Sequence, residues 1–173
     1  MAEKAAWEFI EKLPEGEKIQ LTAINPYVIL GPALCKGDFT SAKIVIEVMK
    51  GNVPPPKIKI GFVDVRNVAT AHVRALERDE AIGQRFILCS DTVWFKEFNQ
   101  ILKDEYGKDY RISTTQPPKF LMTVASWFNS DAKDMKETWG EDYAMDNTRS
   151  KEVLGIEYYS VKELAFAMVE SLI

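Results

Sequence analysis

Few residues of this chain have a type and spacing that could support chemistry. His72 is the only histidine, and the two cysteines, Cys35 and Cys89, have neither metal-ligand spacing nor a disulfide framework. The run YYSVK, which begins at Tyr158, matches Tyr-x-x-x-Lys, a pattern in which a lysine lowers the pKa of a proton-donating tyrosine. That chemistry needs both side chains on one helix face. Ser160 is predicted to cap the following helix, so Tyr158 would lie outside it and the match is interpreted as accidental. We predict no catalytic residue and no metal ligand.

A second segment could contact a ligand through its backbone. Residues 25–32 read NPYVILGP and follow a predicted strand, at the end where open α/β sheets bind ligands. Pro26 fixes its own backbone and extends Asn25, so the following amides could face a flat amide such as nicotinamide. From the residues alone, the alternative is a strand that leaves the sheet with buried aliphatic side chains.

Length and composition favour a globular protein without a nucleic-acid or membrane function. The chain has 173 residues, enough for one domain or for part of a larger one. Its 22 basic and 26 acidic residues give a net charge of −4, and no basic block suggests nucleic acid. No apolar run approaches the ~20 residues of a membrane span. With two cysteines and no secretory signal, we expect a cytoplasmic protein.

The elements that must position these residues alternate between strands and helices, which indicates an α/β fold. We predict strands at 19–24, 57–63, 85–89 and 110–113, and a loop at 25–37. The first and third of these strands should be parallel neighbours in one sheet. Helices are predicted at 2–13, 39–50, 64–78, 93–106, 119–138, 147–154 and 160–173. Their predicted caps are Asp38, Asp64, Thr92, Asn147 and Ser160, with Gly155 in the left-handed position after the sixth helix.

Two of these segments carry a resemblance to a known family. Residues 19–32 read IQLTAINPYVILGP, and residues 60–71 read IGFVDVRNVATA. Together they resemble the C-terminal half of an extended short-chain dehydrogenase/reductase, in the dihydroflavonol-reductase-like branch of the NAD-dependent epimerase/dehydratase family. The resemblance covers nearly the whole chain. It implies an oxidoreductase with the C-terminal part of a Rossmann-type parallel sheet and a small mixed α/β substrate-binding lobe. Residues 1–50 and 57–90 would belong to the sheet and its helices, and residues 91–173 mostly to the lobe.

The resemblance also implies a partial cofactor site and a substrate. In that family the proline of the motif and the next three residues line the nicotinamide of NADP or NAD, and a later serine completes the contact. The loop between them borders an aldehyde or ketone substrate, although CKGD is atypical there. The matching positions are Pro26, Tyr27, Val28, Ile29 and Ser41 for the cofactor, and Ala33, Leu34 and Cys35 for the substrate.

The family's glycine fingerprint and its catalytic Tyr-x-x-x-Lys pair lie upstream of such a stretch. Family members commonly read Tyr-x-x-Ser-Lys-Thr-Met-Ala-Glu-Lys-Ala-Ala-Trp, and this chain begins MAEKAAW. We therefore expect a truncated, C-terminal portion of an NAD(P)H-dependent carbonyl reductase, inactive alone, that contributes substrate recognition and nicotinamide contacts. Two alternatives remain: a non-catalytic binding or assembly module, or one half of a split enzyme that pairs with a separate N-terminal half.

The resemblance assigns a structural role to residues 60–71. The segment holds the lobe against the sheet in that family, usually with aspartate at the position of Asn67. Asp64 should cap the following helix, because its carboxylate accepts hydrogen bonds at the positive end of the helix dipole. His72 lies on the same helix and is interpreted as a packed or solvated side chain.

Overall fold

A computed structural model describes residues 2–34, 40–125, 127 and 130–173. The helices are α1 (Ala2–Lys12), α2 (Thr40–Met49), α3 (Val65–Glu77), α4 (Phe95–Tyr106), α5 (Lys119–Ala125), α6 (Ser130–Glu137), α7 (Thr148–Glu152) and α8 (Val161–Leu172), with a 3-10 turn at Asp79–Ala81. The strands are β1 (Ala23–Pro26), β2 (Val28–Leu30), β3 (Lys59–Asp64), β4 (Arg85–Leu88) and β5 (Asp91–Trp94).

The strands form two small sheets that share one continuous segment of chain. β1 pairs in parallel with β4, so that Ala23 lies opposite Arg85. β2 pairs in parallel with β3, and β3 pairs antiparallel with β5. The predicted α/β class and the predicted parallel pairing are confirmed, although the first strand begins at Ala23 and not at residue 19.

Two apolar cores hold the helices against these sheets. The larger core joins α2, α4 and α8 to the three-stranded sheet, and in it the rings of Phe62 and Phe98 stack with centroids 4.6 Å apart. The smaller core lies between α3 and the β1–β4 pair and includes the fully buried Phe86 and Leu88. Leu154, which follows α7, also belongs to the smaller core, so the last third of the chain contributes to both.

Several helix ends agree with the sequence-based expectations because their signals are local. Asp64 caps α3 and accepts from the amide of Arg66 at 2.8 Å. Ser160 and Glu163 form the predicted capping box of α8. Gly155 has φ +62°, as a left-handed position after α7 requires. Asn147 occupies the cap position of α7, but its side chain donates to the Cys89 carbonyl oxygen at 2.6 Å instead of capping.

The predicted loop at 25–37 was wrong in its first part, because the chain stays in the sheet. The Tyr27 amide donates to the Leu88 carbonyl oxygen at 3.0 Å, and β2 then pairs with β3. The rest of the chain up to Leu34 has no regular structure, and Asp38, the predicted cap of α2, lies outside the described residues.

Three further secondary-structure predictions were wrong. Residues 91–94 form β5 rather than the start of a helix, so α4 begins at Phe95 and Thr92 does not cap it; the Thr92 hydroxyl instead donates to the Tyr143 carbonyl oxygen at 3.1 Å. No strand is formed at 110–113, where the Asn99 side chain binds the Ser113 carbonyl oxygen at 2.8 Å. The single helix predicted at 119–138 is divided into α5 and α6, with residue 127 in a turn.

Helix α1 is attached mainly through one carboxylate. None of its residues is buried. Glu3 accepts from Arg85 Nε at 2.8 Å, from Arg85 Nη2 at 3.1 Å and from Asn25 Nδ2 at 3.2 Å. The hydrogen bonds from Arg85, followed by one from Trp7, lower the pKa of Glu3 from 4.5 to about 2.

We expect α1 to detach in acid before the core unfolds. Because the folded-state pKa of Glu3 is lowered, its contribution is present above pH 4.5 and is lost as the pH falls toward about 2. Amide protection of α1, corrected for intrinsic exchange, should therefore fall across this window. Glu3→Gln should lower that protection already near neutral pH, whereas Glu8→Gln on the same helix should not. Equal protection in wild type and Glu3→Gln would contradict this attachment.

Candidate functional site

An apolar groove of about 440 Å³ lies where β2 and β3 end. Its walls come from the turn after β2, from the starts of α2 and α3, and from α8. The carboxyl ends of parallel strands are where open α/β sheets bind ligands, so the groove is the candidate site. Its lining residues are Ile29, Leu30, Gly31, Pro32, Ala33, Leu34, Ser41, Val65, Arg66, Ala69 and Met168.

The turn after β2 requires glycine at its first position. Gly31 has φ +116°, and a Cβ placed there would lie 3.0 Å from each carboxylate oxygen of Asp64. Two residues later, the Ala33 amide donates to Ser171 Oγ at 2.9 Å. The turn is therefore held against β3 at its start and against α8 at its end.

The opposite wall begins at an ion pair whose carboxylate is buried and whose guanidinium is partly exposed. Asp64 has no exposed surface and accepts from Arg66 Nε at 2.8 Å and from Arg66 Nη2 at 2.7 Å. The Arg66 guanidinium lies 3.8 Å from the ring centroid of Tyr159. Hydrogen bonding to Asp64 raises the pKa of Arg66, which stays charged. One carboxylate thus caps the start of α3 and leaves no room for a side chain at Gly31 in the facing turn.

The structure brings four of the eight sequence-predicted site residues together in this groove. Ile29 and Ser41 come from the predicted cofactor set, and Ala33 and Leu34 from the predicted substrate set. Leu34 is fully exposed at the groove. Cys35 lies outside the described residues.

The other predicted cofactor residues lie elsewhere. Pro26 ends β1, and Val28 packs against the larger core, because neighbouring residues of a strand point to opposite faces. The ring of Tyr27 lies directly over Gly61, where a Cβ would be 2.8 Å from Tyr27 Cδ1 and 2.9 Å from Cys89 Sγ. Burial raises the pKa of Tyr27 and raises that of Cys89 to about 11, so both side chains stay protonated.

The tyrosine–lysine match near the C-terminus does not form a catalytic pair. Tyr158 lies outside α8, as predicted, and its hydroxyl is 2.7 Å from Ser150 Oγ. Burial raises the pKa of Tyr158, the direction opposite to what proton donation would need. Lys162 Nζ lies instead 5.3 Å from the ring centroid of Phe166.

The lone histidine is also accounted for by local contacts. His72 is exposed, and its Nδ1 lies 2.8 Å from the Val68 carbonyl oxygen. Within the described part of the chain, no group of three or more His, Cys, Asp or Glu side chains could hold a metal ion. None of the described helices is long and apolar enough to cross a membrane.

Sequence reasoning missed the wall formed by α3 and α8. Val65 and Ala69 are exposed and four residues apart, so they lie on one face of α3, on the side away from the buried Ala71. That spacing was a usable signal. Met168 had no such sequence signal, because its position at the groove depends on how α8 packs against the sheet.

An α/β fold with a groove at the carboxyl ends of parallel strands has the arrangement in which Rossmann-type proteins bind ligands. No family model matches the chain, but individual proteins are similar to it. The NADPH-dependent methylglyoxal reductase GRE2 of Saccharomyces cerevisiae is 36% identical over 114 residues, which are 61% of this chain and 33% of the relative. Cinnamoyl-CoA reductase CAD2 of Medicago truncatula is 33% identical over 106 residues, which are 61% of this chain and 31% of the relative.

Solved structures match almost the whole chain. Gre2 of Candida albicans in complex with NADPH has a TM-score of 0.72 and 31% identity, over 99% of this chain and 48% of that one. Yeast Gre2, a methylglyoxal/isovaleraldehyde reductase complexed with NADPH, has a TM-score of 0.73 and 29% identity, over 99% of this chain and 52% of that one. The chain is thus similar in sequence and fold to part of these reductases. It spans about a third of the length of these curated relatives and about half of these solved chains.

Proposed function

We propose that this chain is the substrate-binding and nicotinamide-contacting portion of an NAD(P)H-dependent reductase of aldehydes or ketones. The observation that carries the proposal is the apolar groove, in which Ile29, Ala33, Leu34 and Ser41 meet from two separate segments. Support comes from relatives described as NADPH-dependent reductases. Residues 1–50 and 57–90 would belong to a Rossmann-type sheet and its helices, and residues 91–173 mostly to the substrate-binding lobe.

The residues of the groove fit a dihydronicotinamide, from NADPH or NADH, and a small carbonyl compound. Aliphatic side chains of Ile29 and Val65 suit the faces of a flat ring, and the Ser41 hydroxyl offers a donor or acceptor. A dihydronicotinamide held by these residues would supply the hydride for the carbonyl carbon. The chain's own residues would orient the ring and exclude water. The proton would come from an acid outside this chain, because Tyr158 is committed to Ser150.

A second candidate is a binding or assembly module, or one half of a split enzyme. It is favoured by the arrangement of Tyr158 and Lys162, each of which is engaged with a different neighbour. Adding a separate N-terminal half would distinguish these two. Turnover should return if the chain is half of a split enzyme, and it should stay absent if the chain is a binding or assembly module.

The test compares the chain alone with a fusion that adds the N-terminal region of a Gre2 relative. The isolated chain should show no turnover of methylglyoxal with NADPH or NADH. The fusion should oxidise NADPH, and Ala69→Trp, which fills the groove, should lower its kcat/KM at least about tenfold. Gln100→Trp on α4 is the matched control, because Gln100 is exposed and does not line the groove.

Two outcomes would overturn the proposal. One is full activity of the Ala69→Trp fusion, which would place the ligand elsewhere. The other is turnover by the isolated chain that survives Tyr158→Phe and is lost on heating, which would mean that the chain carries catalytic residues of its own.

A further inference from the structure

The turn at residues 31–34, which lines one side of the groove, is attached at its end by one side chain. The Ala33 amide donates to Ser171 Oγ at 2.9 Å. Pro32 has no amide hydrogen, so it cannot hold the turn in this way. Within the described part of the chain, no other side chain hydrogen-bonds to the last three residues of the turn. Leu34, which follows directly, is fully exposed at the groove.

The same hydroxyl also binds a second wall of the groove. Ser171 Oγ donates to the Met168 carbonyl oxygen at 2.8 Å, and Met168 lines the groove. A serine hydroxyl has one hydrogen to donate and two lone pairs that can accept. Because its hydrogen is directed at Met168, a lone pair is left for the Ala33 amide. One hydroxyl therefore connects the turn after β2 to helix α8.

Helix α8 gives this hydroxyl a fixed position. Leu164, Met168 and Ser171 follow at spacings of four and three residues, so they share one face of the helix. Leu164 and Met168 are both buried in the larger core. A group on a packed helix is placed more precisely than a group on a loop. The turn has no regular structure of its own, so its end should take its position from the helix.

Ser171 differs from serines that bond only within their own helix. A helical serine commonly donates to a carbonyl oxygen about one turn back. The Ser171 hydroxyl does this too, but it also accepts from an amide 138 positions away along the chain. Without the hydroxyl, the Ala33 amide would have water as its partner, and the end of the turn would lose its attachment to α8. The start of the turn would keep its place, because β2 stays paired with β3.

We infer that Ser171 is a positioning residue that restricts which aldehydes or ketones the groove accepts, an inference that rests on the proposed function. Ser171 does not line the groove, so it acts through Ala33 and Met168, which do. With the hydroxyl in place, the turn keeps Leu34 in the groove wall, and a branched substrate has less room than an unbranched one. Without the hydroxyl, the end of the turn can move outward and the groove admits bulkier chains.

Amide exchange of the isolated chain tests the contact without an assay of activity. Ser171→Ala should lower the protection of the Ala33 amide about fivefold, because that amide loses its acceptor. Ser171→Thr should keep most of the protection, since a threonine hydroxyl can also donate to a carbonyl oxygen one turn back. Glu170→Ala is the matched control and should leave the protection unchanged. Glu170 is exposed in the same turn of α8 and does not line the groove.

The same variants in the reductase fusion test substrate selection. The measured quantity is kcat/KM for a branched aldehyde divided by kcat/KM for an unbranched one. This ratio should rise at least about threefold in Ser171→Ala and return toward the wild-type value in Ser171→Thr. Glu170→Ala should leave it unchanged. A role in folding alone would lower the urea midpoint of Ser171→Ala without moving the ratio.

Three outcomes would overturn the inference. Equal protection of the Ala33 amide in wild type and Ser171→Ala would mean that the hydroxyl does not hold the turn. An unchanged ratio in an active Ser171→Ala fusion would leave the proposed function intact and remove the role of Ser171 in selection. An inactive wild-type fusion would overturn the proposed function and that role with it, whereas the amide exchange would still decide whether the hydroxyl holds the turn.

Discussion

Gly51→Ala should destabilise the fold by about 2–5 kcal/mol, the sum of left-handed strain and a forced backbone shift. Gly51 follows α2 with φ +79°, and a Cβ there would lie 2.0 Å from the Arg111 carbonyl oxygen. Relief requires the end of α2 and the segment around Arg111 to separate. Since α2 also carries Ser41, the groove should change with the stability. The free energy of unfolding in urea measures the effect.

Two other glycines separate the causes. Gly83 has φ +73° and no atom near its Cβ position, so Gly83→Ala should cost only the strain, about 1–2 kcal/mol. Gly16 also has open space, and no positive φ is found there, so Gly16→Ala should change stability by less than about 1 kcal/mol. Equal losses for Gly51→Ala and Gly83→Ala would show that α2 does not approach Arg111 so closely.

Arg66→Met should have the second large effect, a loss of about 2–4 kcal/mol near neutral pH. It leaves the fully buried carboxylate of Asp64 with the Arg66 backbone amide in place of three hydrogen bonds. The estimate is below the top of the range for buried pairs because the Arg66 side chain is 41% exposed and solvent screens the pair.

Two companion variants test the ion pair itself. Arg66→Lys keeps the charge but loses the two-pronged geometry, so it should lose less than Arg66→Met. The double variant Asp64→Asn/Arg66→Met should be more stable than the sum of its single changes, because neither partner is left alone. Additive losses, or an Arg66→Met cost under about 1 kcal/mol, would mean that the pair contributes little.

The parts of the fold that could be predicted are those with local signals. The cap at Asp64, the capping box at Ser160 and the left-handed Gly155 depend on a few neighbouring residues, and the structure has all three. The parallel partnership of β1 with β4 was also predicted, because strand–helix–strand order favours it.

The parts that could not be predicted depend on distant partners. Tyr27 stays in the sheet because its amide hydrogen-bonds to Leu88, 61 positions further along the chain. No residue near Tyr27 in the sequence predicts that hydrogen bond. The groove likewise depends on residues that are far apart in the sequence. Its Ile29 and Ser41 were expected, but Met168 enters from the last helix, and Asp64 gains contact with Gly31 only once β2 and β3 pair.

Asn67 and Glu3 attach different parts of the chain, and only the Glu3 attachment should respond to acid. The resemblance expects aspartate here, but the buried Asn67 side chain donates to the Glu157 carbonyl oxygen at 2.8 Å and accepts from the Tyr159 amide at 3.2 Å. An amide does both and does not titrate, whereas a carboxylate could only accept. The segment before α8 is thus held by a contact that acid does not alter, while α1 is held by the carboxylate of Glu3. On acidification the two ends of the chain should come loose in order, the N-terminal helix first.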